Sequence, residues 1–153
     1  MEKVGVADQK MVVFAVGHQE YAVPITVVKE VQAWTMPTPV PEAPPIVEGV
    51  IDLRGEIIPV VDLGRRFRTT RRNQGADARI MVMEFEGRHA GWIVDEVVEV
   101  HTPAPGAIAP PSPILMNMAS VTNDPVVSGI LKIGSNRLVV VLDAMRVLEA
   151  ALQ

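Results

Sequence analysis

The chain of 153 residues has the length of one domain and can bury roughly 70% of its unfolded surface. Hydrophobic residues make up 48%, which excludes a disordered chain, and a net charge of −4 argues against general nucleic-acid affinity. Cysteine is absent, so disulfide frameworks and thiolate chemistry are excluded.

Residues 1–10 are polar and are expected to form a flexible N-terminus. Met11 to Gly17 and Glu20 to Val23 form a hairpin-like pair around His18-Gln19. Ile25, Val27, Val28 and Val31 suit one helical turn running into a strand. Trp34 to Pro45 carries prolines at 37, 39, 41, 44 and 45, so it is extended and unsuited to a sheet interior. Gly49 to Leu63 is a hairpin of two β-branched-rich runs around Arg54-Gly55-Glu56. Gly55 supplies the backbone freedom of the turn and Arg54 is displayed at its tip.

Beyond it, Arg65, Arg66, Arg68, Arg71 and Arg72 crowd one segment. They read first as a solvated helix end and loop, with an anionic surface or acidic partner as the alternative. Residues 70–78 are a polar connector. Arg79 to Glu86 and His89 to Val94 form another hairpin, in which Met81, Met83 and Phe85 share a face that reads as core. Prolines at 103, 105, 110, 111 and 113 mark a long loop, where Met116 and Met118 beyond it suit an irregular apolar surface. Pro125 to Ile133 and Arg137 to Leu142 are the last strands, and Asp143 caps a C-terminal helix.

Two stretches recur. Gly49 to Leu63 is echoed by Gly129 to Asp143, and Phe14 to Val31 by Phe85 to Val100. The chain therefore divides into two related all-β halves, roughly 11–70 and 78–150. Structure repeats without repeated chemistry, which points to binding.

Leu53-Arg54-Gly55 followed by Pro59-Val-Val-Asp-Leu63 resembles the signature of the CheW family of bacterial chemotaxis coupling proteins. The likeness continues through Tyr21-Ala-Val-Pro24, Val28-Lys-Glu-Val31, Gly91-Trp-Ile-Val-Asp95, Val98-Glu-Val100 and the final 139–148 stretch. It covers roughly residues 11–150. One position departs: Asp52 stands where the family usually has Asn.

The resemblance implies a fold of two small SH3-like five-stranded β-barrels in one domain, with short helices and a C-terminal helix. It implies a non-catalytic adaptor between the cytoplasmic tip of methyl-accepting chemoreceptors and the regulatory domain of the chemotaxis histidine kinase. By the same likeness Arg54 belongs to partner binding, Glu30 to coupling, and Val28 and Ile80 to a receptor-binding groove. Gly49 falls among these positions, although backbone geometry is its first explanation. A scaffold of another chemosensory pathway, such as pilus motility or a competing minor scaffold, is the nearest alternative. Asp52 favours it if that carboxylate pairs with Arg54.

Enzymatic chemistry finds no support. His18, His89 and His101 lack zinc-ligand spacing, and His18 and His89 fall at or beside turns, where an exposed polar residue is ordinary. None of Ser112, Ser120, Ser128 and Ser135 sits in a nucleophile elbow, and no phosphate loop occurs. Asp62 and Asp95 follow strands and read as turn caps, which leaves a small hydrolase a distant alternative. No cofactor, metal or nucleic-acid partner is expected. No apolar run approaches the ~18 residues of a spanning helix, and Met1-Glu-Lys does not begin a signal peptide. A cytoplasmic protein recruited to receptor arrays, without membrane insertion of its own, is expected.

Overall fold

A computed structural model describes residues 9–71, 77–110 and 126–151. The expectations for residues 1–8, Arg72, Met116 and Met118 lie outside them. Hairpin β1 (Met11–Val16) and β2 (Gln19–Pro24) leads through a 3-10 turn into β3 (Val28–Ala33). Hairpin β4 (Val47–Leu53) and β5 (Glu56–Asp62) ends in the one-turn helix α1 (Leu63–Arg66). Hairpin β6 (Arg79–Phe85) and β7 (Arg88–Val94) is followed by β8 (Glu96–His101) and the two-residue β9 (Ile108–Ala109). Hairpin β10 (Val127–Ile133) and β11 (Arg137–Leu142) then leads into α2 (Ala144–Ala151). The fold is all-β, as the strand patterns foretell.

The strands form two sheets, β3-β6-β7-β5-β4 and β8-β1-β2-β11-β10-β9. Each expected barrel thus has its five principal strands, and β9 adds a short sixth to one. The halves 11–70 and 78–150 do not coincide with these sheets. Each half gives its first hairpin to one sheet and its remaining strands to the other. Pairings repeat accordingly: β1·β8 and β6·β3 are antiparallel, whereas β2·β11 and β7·β5 are parallel. A half alone would leave β1–β2 without β8 and β11, so the repeated unit is not a folding unit. The two halves are interlocked.

Strand alternation sorts the apolar side chains into three cores. Ile51, Leu53, Ile58, Val60, Ile80, Val82 and Ile93 fill the five-stranded sheet's own interior. Met11, Val13, Ala22, Leu131, Val139 and Val141 do the same for the six-stranded sheet. The opposite faces meet in a larger shared core, where Phe14, Tyr21, Met81, Met83, Phe85 and Trp92 join Ala144, Val147 and Leu148 of α2. Met81, Met83 and Phe85 are core residues, as their shared face suggests. β1 is buried at every position because it serves two cores at once.

Asp62 caps α1, its Oδ1 accepting from the Gly64 amide at 2.9 Å. Asp143 plays the matching part for α2, accepting from the Arg146 amide at 3.3 Å. Asp95, wholly buried, takes the Gly17 amide at 2.6 Å. Each of the three carboxylates accepts from a backbone amide. The arginine segment is also tied inward: Arg65 reaches Glu48 at 2.8 Å and the Pro45 carbonyl at 3.1 Å, and Arg71 reaches Asp62 at 3.1 Å.

Candidate protein-docking site

The β4–β5 connection is a two-residue turn, with Leu53 opposite Glu56 and positive φ at both Arg54 (49°) and Gly55 (94°). That is the backbone of a type I′ hairpin, whose twist matches its strands. Asp52 Oδ1 accepts from the Gly55 amide at 2.7 Å and stiffens the turn. Asp52 therefore holds the turn instead of pairing with Arg54. An asparagine carbonyl offers the same acceptor, so this departure from the family pattern is chemically small.

Arg54 instead reaches Glu30 on β3. Nη2 donates to Oε1 at 2.7 Å and Nη1 to Oε2 at 3.3 Å, a forked pair. β3 and β4 are the two ends of the strand order, so this contact exists only because the sheet rolls up. The Arg54 side chain remains 65% exposed and that of Glu30 28%. Hydrogen bonding from Arg54 lowers the Glu30 carboxyl below its ordinary range, burial opposes this, and the charges of Arg54, Lys29 and His89 assist. A depressed carboxylate stabilises the fold above its unfolded pKa, and that contribution is lost as pH falls through the folded value. Carbon-detected NMR should find Glu30 titrating below the ordinary glutamate value of about 4.3. Arg54→Ala should move it upward. An unmoved titration would mean the pair does not persist in solution.

Glu30 stands beside a β-bulge, because register slips between Val28 and Glu30 and leaves Lys29 as the extra residue. Lys29 Nζ lies 3.4 Å from His89 Nε2, and His89 Nδ1 lies 2.8 Å from Glu56. The His89 side chain is 9% exposed. It is a paired, largely buried group, contrary to the exposed turn residue that its place beside Gly87 suggests.

The other sequence-predicted positions separate. Val28 is half-buried against the shared core. Ile80 is wholly buried inside the five-stranded sheet and presents nothing to a partner. Its strand is apolar on both faces, so alternation in the sequence does not reveal its side. Gly49 is also buried: a Cβ there would overlap the Thr38 carbonyl, and Thr38 and Val50 exchange two backbone hydrogen bonds. Gly49 serves close backbone packing.

The residues that line an apolar groove and one ion-pair cluster escape the sequence reading. An apolar groove of about 400 Å³ opens between the sheets, lined by Pro24, Val27, Phe85, Leu142, Ala144 and Met145. Val27, next to Val28, is its nearest sequence signal. On the six-stranded sheet, Arg137 binds both Glu20 and Glu99 at 2.7 Å, and Glu99 of β8 matches Glu30 of β3 across the repeat. The shared Val-x-Glu-Val pattern at 28–31 and 97–100 carries that correspondence.

The CheW-like domain family matches residues 10–152. The chain belongs to the CheW family. The chemotaxis protein CheW of Bacillus subtilis (strain 168) is 34% identical over 141 residues, spanning 92% of this chain and 87% of that protein. That of Rhizobium meliloti (strain 1021) is 36% identical over 102 residues, 67% of this chain and 66% of its own. The crystal structure of scaffolding protein TtCheW from Thermoanaerobacter tengcongensis superposes with a TM-score of 0.76 at 37% identity, covering 88% of each chain. As a CheW-family member, the chain is a non-catalytic chemotaxis scaffold. Among the described residues, no helix is long and apolar enough to cross a membrane.

Proposed function

We propose that this chain couples the cytoplasmic tip of methyl-accepting chemoreceptors to the regulatory domain of the chemotaxis histidine kinase, and so resides in receptor arrays. The observation that carries this reading is the presence of two chemically unlike surfaces built by different strands. The groove at Val27 and Met145 is apolar and suits a receptor helix hairpin. The Arg54–Glu30 pair is charged and exposed, with exposed Ile57 just beyond the turn; it suits the kinase domain. Holding both partners raises the concentration of each near the other and links their conformations.

The test is separability. Val27→Asp is expected to weaken binding of a receptor-tip fragment and to spare the kinase regulatory domain. Glu30→Arg is expected to do the reverse. Each substitution alone should still lower kinase activation in a reconstituted ternary mixture, because linkage requires both contacts. Equal loss of both partners by either folded variant would mean one shared site, and the bridging reading would fall.

A further inference from the structure

We propose that His89 is a positioning residue, clamping Glu56 and Lys29 in the Arg54–Glu30 surface when neutral and releasing Lys29 when protonated. The consequence for docking rests on the function proposed above; the clamp itself does not.

Both neighbours of His89 belong to the docking surface. Glu56 opens β5 directly after Arg54-Gly55, and its carboxylate lies 2.8 Å from Nδ1. Lys29 immediately precedes Glu30, and the bulge aims its ammonium at Nε2, 3.4 Å away. From β6, directly opposite in register, Glu84 Oε2 stands 3.5 Å from the same Nε2. Among the described residues, the charged groups facing the ring are therefore Lys29 from β3, Glu84 from β6 and Glu56 from β5. Glu30 and Arg54 stand one shell further out.

Hydrogen-bond chemistry allows two arrangements of this set. An ammonium only donates, so a Lys29–Nε2 bond requires a lone pair on Nε2. The neutral ring must then carry its proton on Nδ1 and donate it to Glu56. Protonation removes that lone pair. Nε2–H now donates to Glu84, and Lys29 faces a cation. Lys29 leaves the ring and competes with Arg54 for Glu30, one residue along its own strand. The charge on the ring therefore decides which arrangement holds. The surface gains one positive charge and a looser Arg54–Glu30 pair as pH falls.

The experiment uses the full chain, isotopically labelled, with NMR followed from about pH 8 to pH 5.5. At the alkaline end the His89 ring nitrogens should report the Nδ1–H tautomer. On acidification, the Lys29 ammonium and Arg54 guanidinium signals should shift together with the ring. His89→Gln provides the control: its amide can donate to Glu56 and accept from Lys29 but cannot titrate. That variant should keep the alkaline Arg54 signal throughout. Lys29→Met, which has no donor for Nε2, should leave the neutral ring without a fixed tautomer. An Nε2–H tautomer at alkaline pH would overturn the proposal, as would Lys29 and Arg54 signals that ignore the ring. Affinity for the kinase regulatory domain, measured over the same range, should vary with pH in the native chain and be flat in His89→Gln. Absence of that binding at every pH counts against the proposed function, while the NMR signals alone decide the clamp.

Discussion

Arg54→Glu is expected to leave the protein folded and to weaken binding of the kinase regulatory domain by about thirtyfold or more, the scale of an interface anchor. The fold survives because the residue sits in an exposed two-residue turn whose geometry is set by Gly55 and by the Asp52 side chain. Any residue at position 54 must adopt φ near 49°, and glutamate meets the same backbone demand as arginine. Binding suffers twice. The forked donor is lost, and two carboxylates, at positions 54 and 30, then face each other where a neutral pair stood. Circular dichroism with urea unfolding checks the first claim, and calorimetric titration against the kinase domain checks the second. The double charge swap Glu30→Arg with Arg54→Glu distinguishes two roles for the pair. It rebuilds an ion pair across the rolled sheet but presents the carboxylate at the hairpin tip. If the swap restored full affinity, the pair would merely hold the barrel shut, and Arg54 as a docking anchor would be wrong.

What the sequence reveals follows the distance over which each feature is decided. The 49–63 hairpin is legible because its determinants are local: β-branched runs, a glycine at the turn, and a capping Asp62 one step beyond. The hairpins at 11–24 and 79–94 are legible for the same reason. The exchange of hairpins between sheets is not, because it depends on the parallel pairs β2·β11 and β5·β7, which join strands far apart in the chain. The Arg54–Glu30 contact is hidden likewise. Each residue stands out alone, but the sequence separation of 24 closes only when the sheet rolls. Ile80 misleads for another reason. A strand that feeds two cores has apolar residues on both faces, so a fully interior isoleucine and a surface one look alike in sequence. His89 misleads because it lies one residue past a tight turn, yet Glu56, Glu84 and Lys29 enclose its ring from three other strands. Burial is set by neighbours that the local pattern does not contain.

Gly49→Ala is expected to cost about 3 kcal/mol of stability, near the upper end for a single added methyl in a packed site. The methyl would overlap the Thr38 carbonyl and would lie 3.1 Å from the Pro37 Cβ. Neither neighbour yields easily, because Thr38 is tied to Val50 in both directions, at 2.8 and 2.9 Å, and Pro37 is rigid. Relief therefore means detaching the proline-rich segment from β4. Amide exchange at Thr38 and Val50 should accelerate more than exchange in β6 or β7. The interlocked repeat supplies an internal comparison. Gly129 occupies the matching place on β10, at an equivalent register slip, and a methyl added there would stand 2.8 Å from the Ala109 carbonyl oxygen. There the obstruction is the two-residue strand β9, a weaker tether, so Gly129→Ala should cost about half as much. Urea denaturation of both variants measures the two costs on one scale. At a temperature where Gly49→Ala remains folded, its affinity for either partner should match the native chain, since a buried glycine touches no partner. Full stability combined with lost binding would reverse this assignment and put Gly49 on the docking surface. Equal costs at positions 49 and 129 would mean that the tethering segment, proline-rich or not, has no bearing on how the sheet accommodates the methyl.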